Sequence, residues 1–172
     1  SFKTSSLPGV FGRSSLDPGT RLLLENLPGF SDNLNVLDLA CGSGVVGTYL
    51  LRNHPGFELT FSDTSALALR STENTLALNE LSGNVIPSDG FSQIEGRFDL
   101  VITNPPFHRG HRSNTDLSPG IFQPLRNFLN PGGQLIMVAN QHLPYHEFLR
   151  EVLSNHKILA ADNHYKLYQG FL

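Results

Sequence analysis

The chain has 172 residues, of which 39% are hydrophobic and 16% are charged, and its formal net charge is −3. This length favours one ordinary domain whose core is large enough to fold without disulfides or structural metals. The apolar content is too high, and the net charge too small, for a predominantly disordered chain. Because positive charge is not in excess overall, a nucleic acid could be bound only through a local basic patch or an additional domain.

The cysteine content and the N-terminus bear on the cellular compartment. The single cysteine, Cys41, excludes an intrachain disulfide and a cysteine-cluster metal site, and it is compatible with a reducing cytoplasm. Residues 1–4 lack a Met, and no charged and apolar regions typical of a signal peptide follow. No apolar run approaches the ~20 residues of a membrane span. We therefore expect a cytoplasmic protein without membrane contact, excised from a longer chain.

The elements predicted in chain order begin with a loop and a helix. Asp17 is a candidate N-cap and Pro18 stands at the first helical position, while Pro28-Gly29 is expected to end this helix. Short apolar runs then predict strands over residues 36–40, 57–62, 84–87, 98–103 and 135–139. Intervening patterns predict helices over residues 45–53, 66–81, 122–129 and 145–153. This order predicts an α/β fold with right-handed crossovers on a doubly wound, mostly parallel sheet.

The C-terminal end departs from this alternation. Residues 157–161 and 165–171 both have extended patterns, and only about three residues separate them. A parallel crossover needs a dozen or more residues, so this connection must be a hairpin. We therefore predict a seven-stranded sheet with one antiparallel strand near the C-terminus.

A glycine-rich loop directly follows the first predicted strand. Gly42, Gly44 and Gly47 match G-x-G-x-x-G, and Asp63 ends the second strand about 20 residues further on, as in dinucleotide-binding folds. Glycines let a ligand approach the backbone, and a carboxylate at that position can accept hydrogen bonds from ribose hydroxyls. Any adenosine-containing cofactor would satisfy the pattern. The alternative is a tight strand-to-helix turn without a ligand, which the combination of strand, loop, helix and acid disfavours.

Two residues beside the glycines have their own interpretations, and one of them, Asp38, narrows the choice of cofactor. The Asp38 carboxylate would repel a pyrophosphate but could pair with the cationic amino-acid end of S-adenosylmethionine. Alternatively, Asp38 is a cap that organises the loop. We interpret Cys41 as a small buried residue rather than a nucleophile, because the sequence positions no histidine for it.

The second candidate motif, Asn104-Pro105-Pro106-Phe107, lies at the end of the fourth predicted strand, where open α/β sheets hold their ligands. Alone, Asn-Pro-Pro is a turn signal. Next to the glycine loop it becomes a rigid turn rich in acceptors. The side-chain oxygen of Asn104 and the carbonyl of Pro105 could accept both hydrogens of a planar amino group and free its lone pair for methylation. Phe107 could stack on the ring that carries this amine.

These motifs resemble a known family. Residues 36–44 together with 104–107 resemble class I S-adenosylmethionine-dependent amino-group methyltransferases, which have a Rossmann-like fold. More narrowly, residues 7–11, 17–20, 104–108 and 139–145 resemble ribosomal RNA guanine-N2 methyltransferases, particularly the 16S small-subunit methyltransferase C family. The resemblance covers nearly the whole chain and departs at Ala40, where the family usually has Gly. Members of that family carry an additional N-terminal domain.

The resemblance implies roles for individual residues. Asp38, Gly42 and Gly44 would hold the methionine end of the cofactor, Asp63 its ribose, Asp89 its adenine amino group, and Asn104 would also border it. Ser88-Asp89-Gly90 is also a plain turn signal, so the role of Asp89 stays open. We expect a single domain over residues 1–172, in which residues 1–30 flank the cofactor site and residues 31–172 form the core.

Basic and aromatic residues suggest a surface for RNA. The one dense basic cluster in this sequence comprises His108, Arg109, His111 and Arg112, and it follows the proline turn, where an RNA phosphate would pass. The alternative is a solvated loop. Phe11 and Arg13 could cover the cofactor or contact RNA, although Phe11 is equally suited to the core. No metal site is expected, because the one suggestive pair, His142 and His146, is interrupted by Pro144 and lacks nearby acids.

The sequence thus yields one hypothesis and several alternatives. We expect a monomeric enzyme that transfers a methyl group from S-adenosylmethionine to the exocyclic N2 of a guanine in 16S ribosomal RNA, either free or in the small ribosomal subunit. The same chemistry could act on large-subunit RNA, on adenine N6 or on a glutamine amide, because the proline turn accepts any planar amine. A nicotinamide-dependent oxidoreductase and a catalytically silent RNA-binding module are the more distant alternatives.

Overall fold

The computed structural model describes residues 2–10, 15–105 and 122–172. The helices are α1 (Pro18–Glu25), α2 (Val45–Asn53), α3 (Ala66–Leu78), α4 (Leu125–Phe128) and α5 (Tyr145–Val152). The strands are β1 (Asn35–Leu39), β2 (Glu58–Asp63), β3 (Asn84–Pro87), β4 (Phe98–Thr103), β5 (Leu129–Asn140), β6 (Asn155–Ala161) and β7 (Tyr165–Phe171). Helices separate most of the strands, as the pattern of the sequence predicts.

All the strands named above join one sheet, in the order β3-β2-β1-β4-β5-β7-β6. β1 is parallel to both β2 and β4, β3 is parallel to β2, and β5 is parallel to β4. β7 is antiparallel to its two neighbours, β5 and β6. The predicted seven-stranded sheet with one antiparallel strand is therefore confirmed. The hairpin that makes β7 antiparallel turns at Asp162, whose Oδ1 accepts hydrogen bonds from the backbone of His164 and Tyr165, each at 2.7 Å.

Several predicted boundaries are wrong. α1 ends at Glu25, before Pro28, and α3 ends at Leu78 rather than at residue 81. The two largest departures lie in one segment and have a physical reason. The helix expected over residues 122–129 is confined to α4, and β5 begins at Leu129 rather than at residue 135. Phe98 pairs with Leu129, but Leu100 pairs with Gln134, so residues 130–133 form a wide bulge in a strand that continues past them. Pro and Gly in that segment signal a break in a helix or a bulge in a strand equally well.

The sheet has a hydrophobic cluster on each face, and the side chains of each strand alternate between the two. Leu37 of β1 and Met137 of β5 lie in the cluster that α4 and α5 cover. Val36 and Ile136, their chain neighbours, lie in the cluster that α1, α2 and α3 cover. Burial on both faces explains why the central strands have continuous apolar sequences.

Gly47 sets how closely α2 approaches the sheet. A Cβ atom at this position would overlap the ring of Phe61 and would lie 2.6 Å from Cδ2 of Leu59. Both of these side chains are buried in β2. The third glycine of the loop motif is therefore required by helix packing.

The first prediction concerns this contact. Gly47→Ala should lower the free energy of unfolding by about 1–3 kcal/mol, because an overpacked core must shift side chains or backbone. Urea unfolding monitored by circular dichroism measures the change. Gly29→Ala is the matched control, since a Cβ there lies more than 4 Å from every atom of the described part of the chain that is not its own neighbour. If the two variants are equally stable, the packing of α2 does not require a residue without a Cβ at position 47.

Candidate active site

The carboxyl ends of β2, β1 and β4 lie side by side and carry the predicted site residues. The backbone N–H of Gly42 donates to Oδ2 of Asp63 at 3.0 Å, which joins the glycine loop after β1 to the end of β2. The Oγ1 of Thr103 donates to the carbonyl of Leu39 at 2.7 Å, which joins the end of β4 to that of β1. Asn104 follows directly. The structure thus brings together the two motifs, which are about 60 residues apart in the chain, because parallel strand ends meet at one edge.

Three residues in or next to the glycine loop have a positive φ. Gly42 and Gly44 have φ of 57° and 72°, in the left-handed region that glycine tolerates best. A Cβ on Gly42 would meet no atom of the described residues within 4 Å, so these residues leave open space beside the loop. A Cβ on Gly44 would come within 2.8 Å of Cγ2 of Thr72. Ala40, where the resemblance described above implies Gly, also has a positive φ, 58°, a conformation that is less favourable for a residue with a Cβ than for glycine.

Thr72 is a site residue that sequence analysis missed. It is fully buried in α3. Its Oγ1 donates to the carbonyl of Gly42 at 3.0 Å and lies 3.4 Å from Sγ of Cys41. Thr72 therefore fixes the backbone of the glycine loop from α3, through the carbonyl of Gly42. A threonine inside a helix has no local signature for such a role.

Other polar residues of α3 bind the N-terminal segment. Oγ of Ser71 accepts from the backbone N–H of Leu7, and Oγ1 of Thr75 accepts from that of Ser5, both at 3.0 Å. Asn79, which directly follows α3, accepts through Oδ1 from the N–H of Lys3 at 3.0 Å. The helical spacing of these polar residues is a signal that could have revealed a face that binds backbone rather than water.

Asp38 is almost completely buried, with 2% of its surface exposed. Its Oδ2 accepts a hydrogen bond from the backbone N–H of Gly47 at 2.9 Å. Burial, with a smaller contribution from the negative charge of Asp63, raises the pKa of Asp38 to about 7, although the Gly47 hydrogen bond opposes the shift. This hydrogen bond is the contact that the loop-organising alternative for Asp38 requires. Asp38 also places a carboxyl group beside the loop, and a nearby cation would favour its ionised form.

Asp63 is the last residue of β2, and Asp89 lies shortly after β3. Asp63 is half-buried, and besides Gly42 it accepts a hydrogen bond from the N–H of Ser65, at 2.8 Å. Asp89 is exposed in a turn in which Oγ of Ser88 donates to the carbonyl of Gly90 at 2.8 Å. The N–H of Ser88 donates to the carbonyl of Asp63 at 3.1 Å, so the turn adjoins the site. Asp89 is therefore in a turn and near the site, and its proposed contact with adenine stays a prediction.

Asn104 is held in one orientation. Its Nδ2 donates to Oδ2 of Asp17 and to Oγ1 of Thr20, both at 2.8 Å. Pro105, next to it, is buried. Because both amide hydrogens have acceptors, the remaining polar atom of the side chain is Oδ1, an acceptor.

Several predicted residues lie outside the described ranges. They are Pro106, Phe107, His108, Arg109, His111 and Arg112 after the proline turn, and Phe11 and Arg13 near the N-terminus. Their suggested roles in stacking, cofactor cover and RNA contact stay predictions.

Other chemistries find little support among the described residues. Burial raises the pKa of the Cys41 thiol well above its usual range, which agrees with the interpretation that this cysteine is not a nucleophile. His146 lies 2.7 Å from His156 through their ring nitrogens, but no three His, Cys, Asp or Glu residues of the described ranges are grouped as a metal site would require. In the same ranges, no helix has the length and apolar character to cross a membrane.

Comparison with known proteins identifies the relatives of this architecture. The ribosomal RNA small subunit methyltransferase C of Mannheimia succiniciproducens is 46% identical over 165 residues, which are 95% of this chain and 49% of that protein. The protein of the same description from Haemophilus ducreyi is 42% identical over 167 residues, covering 96% of this chain and 50% of its own length. The chain thus spans about half the length of the curated relatives it matches.

Solved structures agree with the observed fold. A 16S rRNA N2 methyltransferase of T. thermophilus, solved in complex with AdoMet and guanosine, superposes with a TM-score of 0.85 at 31% identity over 96% of this chain and 46% of its own. A ribosomal protein L11 methylase from Lactobacillus delbrueckii has a TM-score of 0.75 at 20% identity, covers 95% of this chain and 82% of its own, and supports the fold alone. The profile of the methyltransferase small domain matches residues 1–169. The chain belongs to the methyltransferase small domain family.

Proposed function

We propose that this chain binds S-adenosylmethionine at the joined ends of β1, β2 and β4 and methylates the exocyclic N2 of a guanine in 16S ribosomal RNA. The observation that carries the proposal is the orientation of Asn104, whose amide N–H groups are both bonded within the protein. Its Oδ1 is thereby the side-chain atom that could accept from a substrate amine beside the glycine loop. The names of the curated relatives, and the guanosine and AdoMet in the T. thermophilus complex, support the choice of substrate and cofactor.

The residues at this edge fit the proposed cofactor. S-Adenosylmethionine carries a sulfonium and an ammonium group, and it supplies an electrophilic methyl group when bound. Asp38 would ionise beside the ammonium, Asp63 would accept from the ribose hydroxyls and Asp89 from the adenine amino group. The open side of Gly42 leaves room for a ligand against the backbone. A pyrophosphate would meet these carboxylates instead, which disfavours the nicotinamide alternative.

The proline turn would then activate the guanine. Oδ1 of Asn104 and the carbonyl of Pro105 would accept the two hydrogens of N2, drawing the nitrogen toward tetrahedral geometry. Its lone pair could then form the new N–C bond while the bond between the methyl group and the cofactor's sulfur breaks and leaves a neutral thioether, and the methylated nitrogen would release one proton to solvent. No strong general base is required, because the proton becomes acidic once the nitrogen is methylated. The guanine must leave its stack to reach this turn, and Phe107 is proposed to support its ring.

The same proposal covers the partner and the compartment. Ribosomal RNA, free or in the small subunit, is the proposed partner of a monomeric cytoplasmic protein. His108, Arg109 and Arg112 are proposed to contact its phosphates, with Phe11 and Arg13 near the cofactor or the RNA. Incubation with labelled S-adenosylmethionine and naked 16S RNA, 23S RNA or isolated subunits, followed by identification of the labelled nucleoside, tests this assignment. Label in any nucleoside other than N2-methylguanosine would contradict it.

A prediction of pH dependence follows from the buried carboxyl group. The pKa of Asp38 is about 7 in the folded protein, against an ordinary value of 3.8. Below pH 4 both states are protonated, but between about pH 4 and pH 7 the unfolded chain ionises first, so stability falls as the pH rises. Asp38→Asn should remove this loss, which amounts to on the order of 4 kcal/mol above pH 7. Urea unfolding of both proteins at several pH values measures the difference.

The same variant separates stability from binding. At pH 8, Asp38→Asn should be more stable than the wild type without cofactor, yet it should bind S-adenosylmethionine more weakly in calorimetry. If the free energy of unfolding of the two proteins has the same pH dependence, and they bind S-adenosylmethionine equally well, then the charge of Asp38 affects neither stability nor cofactor binding.

Asp63→Ala should weaken S-adenosylmethionine binding by about 1.5–3 kcal/mol, because it removes a charged acceptor for the ribose hydroxyls. Isothermal titration calorimetry measures the change directly. Glu58→Ala is the matched control, since Glu58 is an exposed carboxylate at the opposite end of the same strand. The role of Asp63 is refuted if its variant binds the cofactor as tightly as the control.

Asn104→Ala should lower the rate of methyl transfer by about 10²–10³-fold at saturating RNA and cofactor, since it removes a preorganised hydrogen-bonding group that acts chiefly in the transition state. Single-turnover kinetics isolates this step from binding. Asn130→Ala is the control, because Asn130 also donates to an aspartate but lies beside the amino-terminal end of β4, at the opposite end of this strand from Asn104. A wild-type rate for Asn104→Ala would overturn the proposed mechanism.

A further inference from the structure

One oxygen atom joins the start of α1 to the proline turn. Oδ2 of Asp17 accepts from the N–H of Thr20 at 2.8 Å, from Oγ1 of Thr20 at 3.3 Å and from Nδ2 of Asn104 at 2.8 Å. Nδ2 of Asn104 also donates to Oγ1 of Thr20 at 2.8 Å. Asp17 is thus both the N-cap of α1 and a partner of a residue 87 positions away. The sequence motif Asp17-Pro18-Gly19-Thr20 explains only the cap.

These contacts determine which way the amide of Asn104 points. A carboxylate can only accept, so the NH₂ end of the amide must face Asp17. The Thr20 hydroxyl donates its one hydrogen to Asp17 and therefore accepts from Asn104. A flipped amide would place its oxygen against both of these oxygens and would lose two hydrogen bonds. The amide has one stable orientation, with Oδ1 turned away from α1.

Orientation matters because the two ends of an amide have opposite character. A substrate amine that met the NH₂ end would find a donor facing its own donors, whereas the oxygen accepts from it. A fixed acceptor needs no reorganisation when the reaction occurs. The negative charge of Asp17 on the NH₂ end also polarises the amide and increases the negative character of its oxygen. Both effects favour an amine whose nitrogen is losing its planar geometry.

We propose that Asp17 and Thr20 are positioning residues for methyl transfer, which hold the Asn104 amide with its oxygen toward the acceptor amine. The inference rests on the proposed function, because it gives these residues a role only through Asn104. It assigns to the N-cap motif a second task that is independent of helix stability.

Three substitutions separate this task from capping. Asp17→Ser keeps a good N-cap for Thr20 but is too short to reach Asn104 as well. Thr20→Val removes the hydroxyl acceptor and leaves the backbone cap and the shape of the side chain. Asp17→Asn keeps both the cap and an oxygen for Asn104. This conservative variant should therefore retain most of the methyl-transfer activity that Asp17→Ser loses.

A matched control, Asp99, lies near the amino-terminal end of β4, at the opposite end of this strand from Asn104. Oδ1 of Asp99 accepts from Nδ2 of Asn130 at 2.7 Å, and its Oδ2 accepts from the N–H of Asn35 at 2.9 Å. This half-buried aspartate therefore makes the same two kinds of bond as Asp17. It lies at the start of β4, roughly 16 Å from Asn104 at the usual strand rise. Asp99→Ser removes equivalent bonds without affecting the site.

The kinetic test uses the full natural chain with saturating S-adenosylmethionine and 16S ribosomal RNA. Asp17→Ser and Thr20→Val should slow single-turnover methyl transfer by about 10–100-fold, as expected for a misplaced reacting group. Cofactor affinity should stay within about twofold in both. Asp99→Ser should transfer at the wild-type rate, and Asp17→Asn at an intermediate or wild-type rate. Wild-type rates for Asp17→Ser and Thr20→Val would overturn the proposal, as would equal losses in Asp99→Ser.

A second measurement does not depend on activity. In nuclear magnetic resonance spectra, the side-chain amide signals of Asn104, assigned by their absence in Asn104→Ala, should shift and exchange faster with water in Asp17→Ser but not in Asp99→Ser. Unchanged signals in Asp17→Ser would refute the contact whatever the enzyme methylates. If instead the signals shift but the wild type methylates no RNA, the proposed function fails, and the role in methyl transfer fails with it.

Discussion

The parallel pairing of β1 with β2 on one side and with β4 on the other is the constraint on which the site depends. Neither the glycine loop nor the proline turn contains a complete site. Three strands that run in the same direction deliver their following loops to one edge, and short hydrogen bonds between Gly42 and Asp63 and between Thr103 and Leu39 fix how these loops meet. Reversing any one of the three strands would place its motif at the far edge of the sheet.

The buried carboxyl group of Asp38 favours a bound cation beside it. Asp38 is buried in a place where its charged form is disfavoured, and Asp63 is close enough to raise the pKa of Asp38 further. Such an arrangement lowers the stability of the free protein at neutral pH, and a positively charged ligand would offset that loss. Stability and binding therefore oppose one another at the same residue, which is common where a fold has been adapted to a ligand.

Much of the fold could be predicted from local patterns, because those patterns reflect burial. β4 and β7 begin and end where the alternation of apolar residues and turn signals predicts. Residues 130–133 could not be predicted correctly, since Pro and Gly break a helix and bulge a strand alike. The site shows the same division. Asp63 and Asn104 follow strands and have recognisable motifs, whereas Thr72 acts from the middle of α3, and the contact of Asp17 with Asn104 depends on chain positions far apart. Only the folded topology brings such residues together.

The polar face of α3 has a consequence for how the N-terminal segment can vary. Ser71, Thr75 and Asn79 bind the main chain of that segment rather than its side chains. Every amino acid offers the same backbone N–H groups, proline excepted, so the identity of the residues at Lys3 and Ser5 is weakly constrained while their spacing is strongly constrained. Insertion of a single residue between Lys3 and Leu7 would move at least one N–H away from its acceptor. These contacts therefore constrain the number of residues between the bound N–H groups more than they constrain which residues these are.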